Sequence, residues 1–149
     1  MRSMRKKDVS SSRDSDRFAP GQTTAMVATY CKDIDRWARS WAGFPELDVP
    51  VGERMVAEMK LFLASLIAAE RARKTVRHYG DYLWVLGGEI IRRVDADKKE
   101  RKLCGRALLL KHIDEAGGPL WNDARYEREH EAYDAVCRKF YRFLVGSKD

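Results

Sequence analysis

Four cations fall within seven residues of the stretch ERARKTVRHYGDYLWVLGGEIIRRV: Arg71, Arg73, Lys74 and Arg77, with His78 directly after them. Such a group can neutralise phosphate charge and donate hydrogen bonds to it, and Thr75 adds a hydroxyl. The apolar residues that follow, Val76, Tyr79, Leu83, Leu86, Ile90 and Val94, recur every three or four positions. That period places the cations at the start of an amphipathic helix. A helix start carries partial positive charge and favours Asp or Glu, so Lys and Arg there cost about a few tenths of a kcal/mol. A bound phosphate backbone would offset that cost. A second basic run, residues 92–106, holds Arg92, Arg93, Lys98, Lys99, Arg101, Lys102 and Arg106 against three acids. The alternative reading of both runs is a solvated surface that keeps a small domain soluble.

Other chemistry is sparse. Glu127 and His130 in EREH have the Glu-x-x-His spacing of di-iron carboxylate bundles, but those need two copies and further Glu residues on other helices. Only one copy exists, and His130 lies on an apolar stripe, so it reads as a packed histidine rather than a metal ligand. Neither a Gly-x-Ser-x-Gly elbow, a P-loop nor a GxGxxG is present. Cys31, Cys104 and Cys137 are far apart and odd in number, with no CxxC, which favours buried free thiols over a zinc site or disulfides. The expectation is a non-enzymatic protein with no catalytic residues, no metal, no cofactor and no small-molecule substrate.

Net charge is +6 with 35% charged residues, a balance that attracts polyanions but says nothing of fold. The start MRSMRKKDVSSSRDSDRF lacks a hydrophobic core segment, and the longest apolar run, LFLASLIAA, is far shorter than the ~20 residues of a membrane span. No membrane association is expected, and the thiols suit a reducing, cytoplasmic setting.

These candidates must be carried by helices, since nothing alternates with period two. Residues 1–22 are nearly devoid of apolar side chains and read as a disordered, mildly basic tail, with 23–149 as one helical domain. Met26, Tyr30, Ile34, Trp37 and Trp41 form one stripe of a first helix, ended by GFPELDVPVG. A second helix is expected from about Glu53 to Glu70, with Val56, Met59, Leu63, Leu66 and Ile67 inward. The third starts at Lys74 or Thr75, and Gly87 beside its stripe suits a close helix crossing. The RRVDADKKERK segment reads as a loop or helix edge. A fourth helix spans residues 105–116, with Gly117 as a left-handed cap before Pro119. The last opens at Asn122 or Asp123 and buries Tyr126, His130, Tyr133, Cys137, Phe140 and Leu144. The expected fold is an all-α compact bundle of about five helices.

FLASLIAAERARKTVRHYGDYLWVL and the closing YDAVCRKFYRFL resemble the SAM-like core-binding domain of tyrosine recombinases and phage integrases, over residues 53–145. The resemblance implies a DNA grip, with Lys74, Thr75, Arg77 and His78 near the duplex. Arg73 stands where that family often has a Ser or Asn cap. The family's catalytic set belongs to a separate domain, and no His-x-x-Arg exists here: His78, His112 and His130 are followed three places on by Asp81, Glu115 and Tyr133. The resemblance therefore implies binding without strand transfer. The expected partner is DNA, gripped through residues 71–78 and helped by residues 92–102. The competing expectation is a protein-interaction or homo-oligomerising module with Trp84 and Trp121 as contacts.

Overall fold

The computed structural model describes residues 20–43, 46–94 and 98–146, with side chains from residue 25 onward. The expected disordered tail lies outside the described residues as far as residue 19, and a helix already begins at Pro20. Among the described residues six α-helices follow in order: α1 Pro20–Tyr30, α2 Trp37–Trp41, α3 Val49–Ala68, α4 Arg73–Val94, α5 Gly105–His112 and α6 Glu127–Leu144. Short 3₁₀ turns, Ile34–Arg36 and Lys98–Lys102, precede α2 and α5. Among the described residues there is no strand, only one isolated bridge between Asp114 and Gly117.

The bundle is built around α3. Val51, Met55, Val56, Met59, Phe62, Leu63, Ala64 and Leu66 are all buried, so its apolar surface covers most of its circumference. It packs against α1, α2, α4 and α5, while α6 closes the other side against α4 and α5. The apolar run LFLASLIAA packs into the core through Phe62, Leu63, Ala64 and Leu66, and among the described residues no helix is long and apolar enough to cross a membrane. Phe62 joins three helices: its ring centroid lies 5.8 Å from Tyr79, 5.1 Å from Phe140 and 5.4 Å from Phe143.

Four boundaries differ from expectation. The single first helix is broken after Tyr30, and Val27, Cys31, Ile34, Trp37 and Ala38 are buried while Met26 is 45% exposed. Met26–Val27 and Tyr30–Cys31 are both apolar pairs, so periodicity alone chose the wrong member of each. Helix α3 begins at Val49 because Pro50 sits in its first turn, where no backbone N–H is needed. Helix α5 ends at His112, since Ile113 is extended (φ −122°, ψ 153°). Gly117 is no helix cap: it takes φ 132° in a tight turn that exchanges two backbone hydrogen bonds with Asp114, of 3.0 and 3.1 Å. Helix α6 opens at Glu127, beyond Asn122 and Asp123.

The expected close crossing at Gly87 is present. A Cβ there would lie 2.2 Å from the Trp41 ring, so only hydrogen lets α2 rest on α4. Trp41 Nε1 then donates to the Trp84 carbonyl at 3.0 Å. At Gly88 the nearest atom, Trp41 Cδ1, is 3.4 Å from a would-be Cβ. Gly87→Ala is expected to lose about 1–3 kcal/mol in thermal or urea unfolding by overpacking. Gly88→Ala, also helix-interior, stays within about 1 kcal/mol of the parent.

Candidate functional site

The link between α3 and α4 is fixed by backbone geometry. Glu70 adopts φ 61°, its N–H bonds Ile67 O at 2.9 Å, and Arg71 N–H bonds Leu66 O at 3.1 Å. This paired closure normally uses glycine, so Glu70 stores a modest backbone strain at the turn. The turn delivers Arg71, Arg73, Lys74 and Arg77 to one end of the bundle, and the first turn of α4 holds no acid.

The four cations do not behave alike. Arg73 donates to the Thr29 carbonyl at 2.9 Å, and its guanidinium stacks 4.1 Å above the Tyr30 ring. It fastens the end of α1 to the start of α4. Arg71, Lys74, Arg77 and His78 are exposed, and Thr75 is half-buried. Among the described residues, no carboxylate lies within ion-pair distance of Arg71, Lys74 or Arg77. The His78 ring meets Tyr82 edge-on at 4.9 Å.

The second basic run is at the far end of α4, which spans 22 residues and hence about 30 Å. The structure thus keeps the two runs apart. It also gives several of the later cations internal partners. Glu89 is only 4% exposed, and Arg92 and Arg93 reach its two oxygens at 2.8 and 2.9 Å. Arg93 also donates to the Leu120 carbonyl at 3.2 Å. Asp48 is 5% exposed and takes Arg101 Nε at 2.8 Å. Arg106 Nε donates to the carbonyl of Leu144, the last residue of α6, at 3.0 Å. Lys98, Lys99 and Lys102 are exposed on the 3₁₀ turn, while Glu100 in the same turn is buried against His112 at 2.6 Å. A buried carboxylate without a counter-charge is strongly destabilising, so much of this run answers a need of the core.

Beside residues 73–85 of α4, the α1–α2 connection forms a cleft of about 820 Å³. Tyr30, Cys31, Trp37, Arg77, Asp81 and Trp84 are among its walls. Gly80 makes room there: a Cβ would lie 2.6 Å from Cys31 Sγ. Burial raises the Asp81 carboxyl above its usual range, against the opposing charges of His78 and Arg77. Trp84 is 44% exposed, yet its Nε1 donates to Ser40 Oγ at 3.0 Å. Trp121 is half-buried, packed edge-on against Tyr82 and tilted against Tyr133 at 6.0 and 5.6 Å. Spacing within α4 could not reveal this cleft, because its other wall comes from residues 29–37.

His130 is fully engaged: Nε2 accepts the Trp121 N–H at 3.1 Å and Nδ1 faces Asp134 at 3.0 Å. The first contact leaves the proton on Nδ1, where it is donated to the carboxylate. Glu127 is exposed at the start of α6, and among the described residues no group of three or more His, Cys, Asp or Glu could hold a metal. Comparison of the chain with protein-family models, curated proteins and solved structures gives no match.

The thiols are not uniformly buried, as the sequence led one to expect. Cys31 and Cys137 are buried, but Cys104 is exposed at the start of α5, where its sulfur accepts the Ala107 N–H at 3.4 Å. Burial pushes the Cys31 thiol up to about 11, helped by Asp81 and Asp33, and raises Cys137 as well. Since the thiolate is the nucleophile, native protein at pH 8 should show one fast thiol in a disulfide-exchange colour assay. Cys104→Ser should abolish that fast phase, and denaturant should release the other two.

Proposed function

We propose that this protein is a non-enzymatic helical module that binds DNA through its phosphates, using Arg71, Lys74 and Arg77 with His78 at their side. The observation that carries the reading is the start of α4: three exposed cations, no acid in the first turn, and no described carboxylate paired with them. Cations at a helix start give up favourable dipole energy, and a phosphate restores it by meeting both the side chains and the helix end. Arg73 supports the grip indirectly, by holding the α1 end against α4. The resemblance of residues 53–145 to recombinase core-binding domains favours the same end of the same helix.

The geometry also narrows the footprint. Arg92 and Arg93 stand at the opposite end of α4, about 22 Å or more from the grip, and Arg92, Arg93, Arg101 and Arg106 have structural partners. Those four are therefore assigned to the fold, and exposed Lys98 and Lys102 to its surface. The alternative, a protein-interaction or homo-oligomerising module, is favoured by the exposed indole of Trp84 and by exposed apolar side chains such as Leu47, Leu120 and Tyr126. Trp121 is committed to internal aromatic packing.

Three phosphate contacts predict a log–log salt dependence of duplex affinity with a slope of about −3. Fluorescence anisotropy with a labelled duplex across a salt series measures it. Lys74→Glu with Arg77→Glu should weaken binding at least about tenfold while leaving helical circular dichroism intact. Lys98→Glu with Lys102→Glu should change affinity by less than about twofold. Failure to bind duplex even at low salt would contradict the reading.

A further inference from the structure

We propose that the cleft beside α4 receives unpaired nucleobases, so that the ligand gripped at residues 71–77 is single-stranded or locally opened nucleic acid. The inference rests on the phosphate reading above and specifies its substrate.

Three observations converge on it. Trp84 is a large indole left 44% exposed in the middle of α4, yet it is held in place. Its Nε1 donates to Ser40 Oγ at 3.0 Å, and that hydroxyl donates on to Trp37 O at 2.6 Å. An exposed ring fixed in this way presents a π-face without losing rotamer freedom on binding. Burial accounts for only part of the ring, since 44% of the residue stays exposed.

Second, the space is suitable. The cleft of about 820 Å³ on one side of Trp84 falls within the usual size of ligand sites. A smaller cavity of about 360 Å³ has Trp41 and Trp121 in its walls. Trp84 borders both, so there is room beside its ring for more than one base.

Third, charge of both signs lines the cleft. Lys32, Arg73 and Arg77 stand in the same walls as Asp33, Asp81 and the aromatic rings of Tyr30, Trp37 and Trp84, with exposed Lys74 next to Arg73 at the α4 start. The cations suit a phosphate, and the carboxylates accept hydrogen bonds from exocyclic amino groups of bases. A nucleotide with its base free supplies both partners. A duplex, with its bases stacked and paired, could use only the cations.

The test compares labelled oligonucleotides by anisotropy on the full chain. The probes are a mixed-sequence 12-nucleotide single strand, the same length of abasic strand, and the corresponding duplex. The expected result is at least about tenfold tighter binding of the base-bearing single strand than of either other probe. Trp84→Ala should lower single-strand affinity about 5- to 100-fold and duplex affinity by less than about twofold, with Trp84→Phe intermediate. The abasic comparison needs no variant, so it stands even if Trp84→Ala folds poorly. Equal affinity for the single strand, the abasic strand and the duplex overturns the inference while leaving the phosphate reading intact. No binding of any probe at low salt overturns both. Self-association abolished by Trp84→Ala, with no preference for the base-bearing strand, assigns the indole to a protein contact and likewise overturns the inference.

Discussion

An indole ring occupies the volume that a side chain at Gly87 would need, and the shape of the cleft beside α4 depends on that contact. Trp41 settles on the bare backbone of α4 and donates to the Trp84 carbonyl. Helix α2 is only five residues long, too short to hold itself in water. Its place is set by packing against α3 and α4. Ser40, one residue before Trp41, is thereby brought to the Trp84 indole and fixes it. The cleft wall, the orientation of its aromatic ring and the room beside it all follow from this seating.

A second constraint sorts the positive charge. Asp48, Glu89 and Glu100 are buried carboxylates, and taking a charge out of water is costly unless it is paired. Arg101 serves the first, Arg92 and Arg93 the second, and His112 with Lys111 the third. Those partners hold the 3₁₀ turn, α4 and α5 together. Arg73 is similarly employed at the other end of α4, against Thr29 and Tyr30. What remains at the α4 start is a small set of exposed cations on a rigid helix. Net charge alone could not separate these roles, because it counts a core counter-ion and a surface cation equally.

The sequence was most legible where one period governed a long segment. The stripe from Val76 to Val94 specifies α4, and the glycine at 87 marks the crossing, because both are local patterns with a single steric meaning. It was least legible where neighbours compete. At Met26–Val27 and Tyr30–Cys31 either residue could face inward, and tertiary packing chose the second. Gly117 and the Asn122–Asp123 pair carry ordinary helix-boundary chemistry, yet the turn that binds Asp114 and the late start of α6 use them as loop residues. The basic run 71–77 was visible as a cluster, but its division into Arg73 and the rest depends on a carbonyl 44 residues away. The cleft was not legible at all. Its walls come from segments about fifty residues apart, and Trp84 looked only like a residue beside a stripe.

The central claim is that the start of α4 and the Trp84 indole form one nucleic-acid surface, distinct from the basic turn at Lys98–Lys102. Residue-resolved NMR during titration with a single-stranded oligonucleotide tests this most directly. The account predicts the largest shifts at the amides of Arg71, Lys74 and Arg77 and at the indole N–H of Trp84, with little change at Lys98–Lys102. Shifts centred on Lys98–Lys102 or on α6, or none at the α4 start, would contradict it.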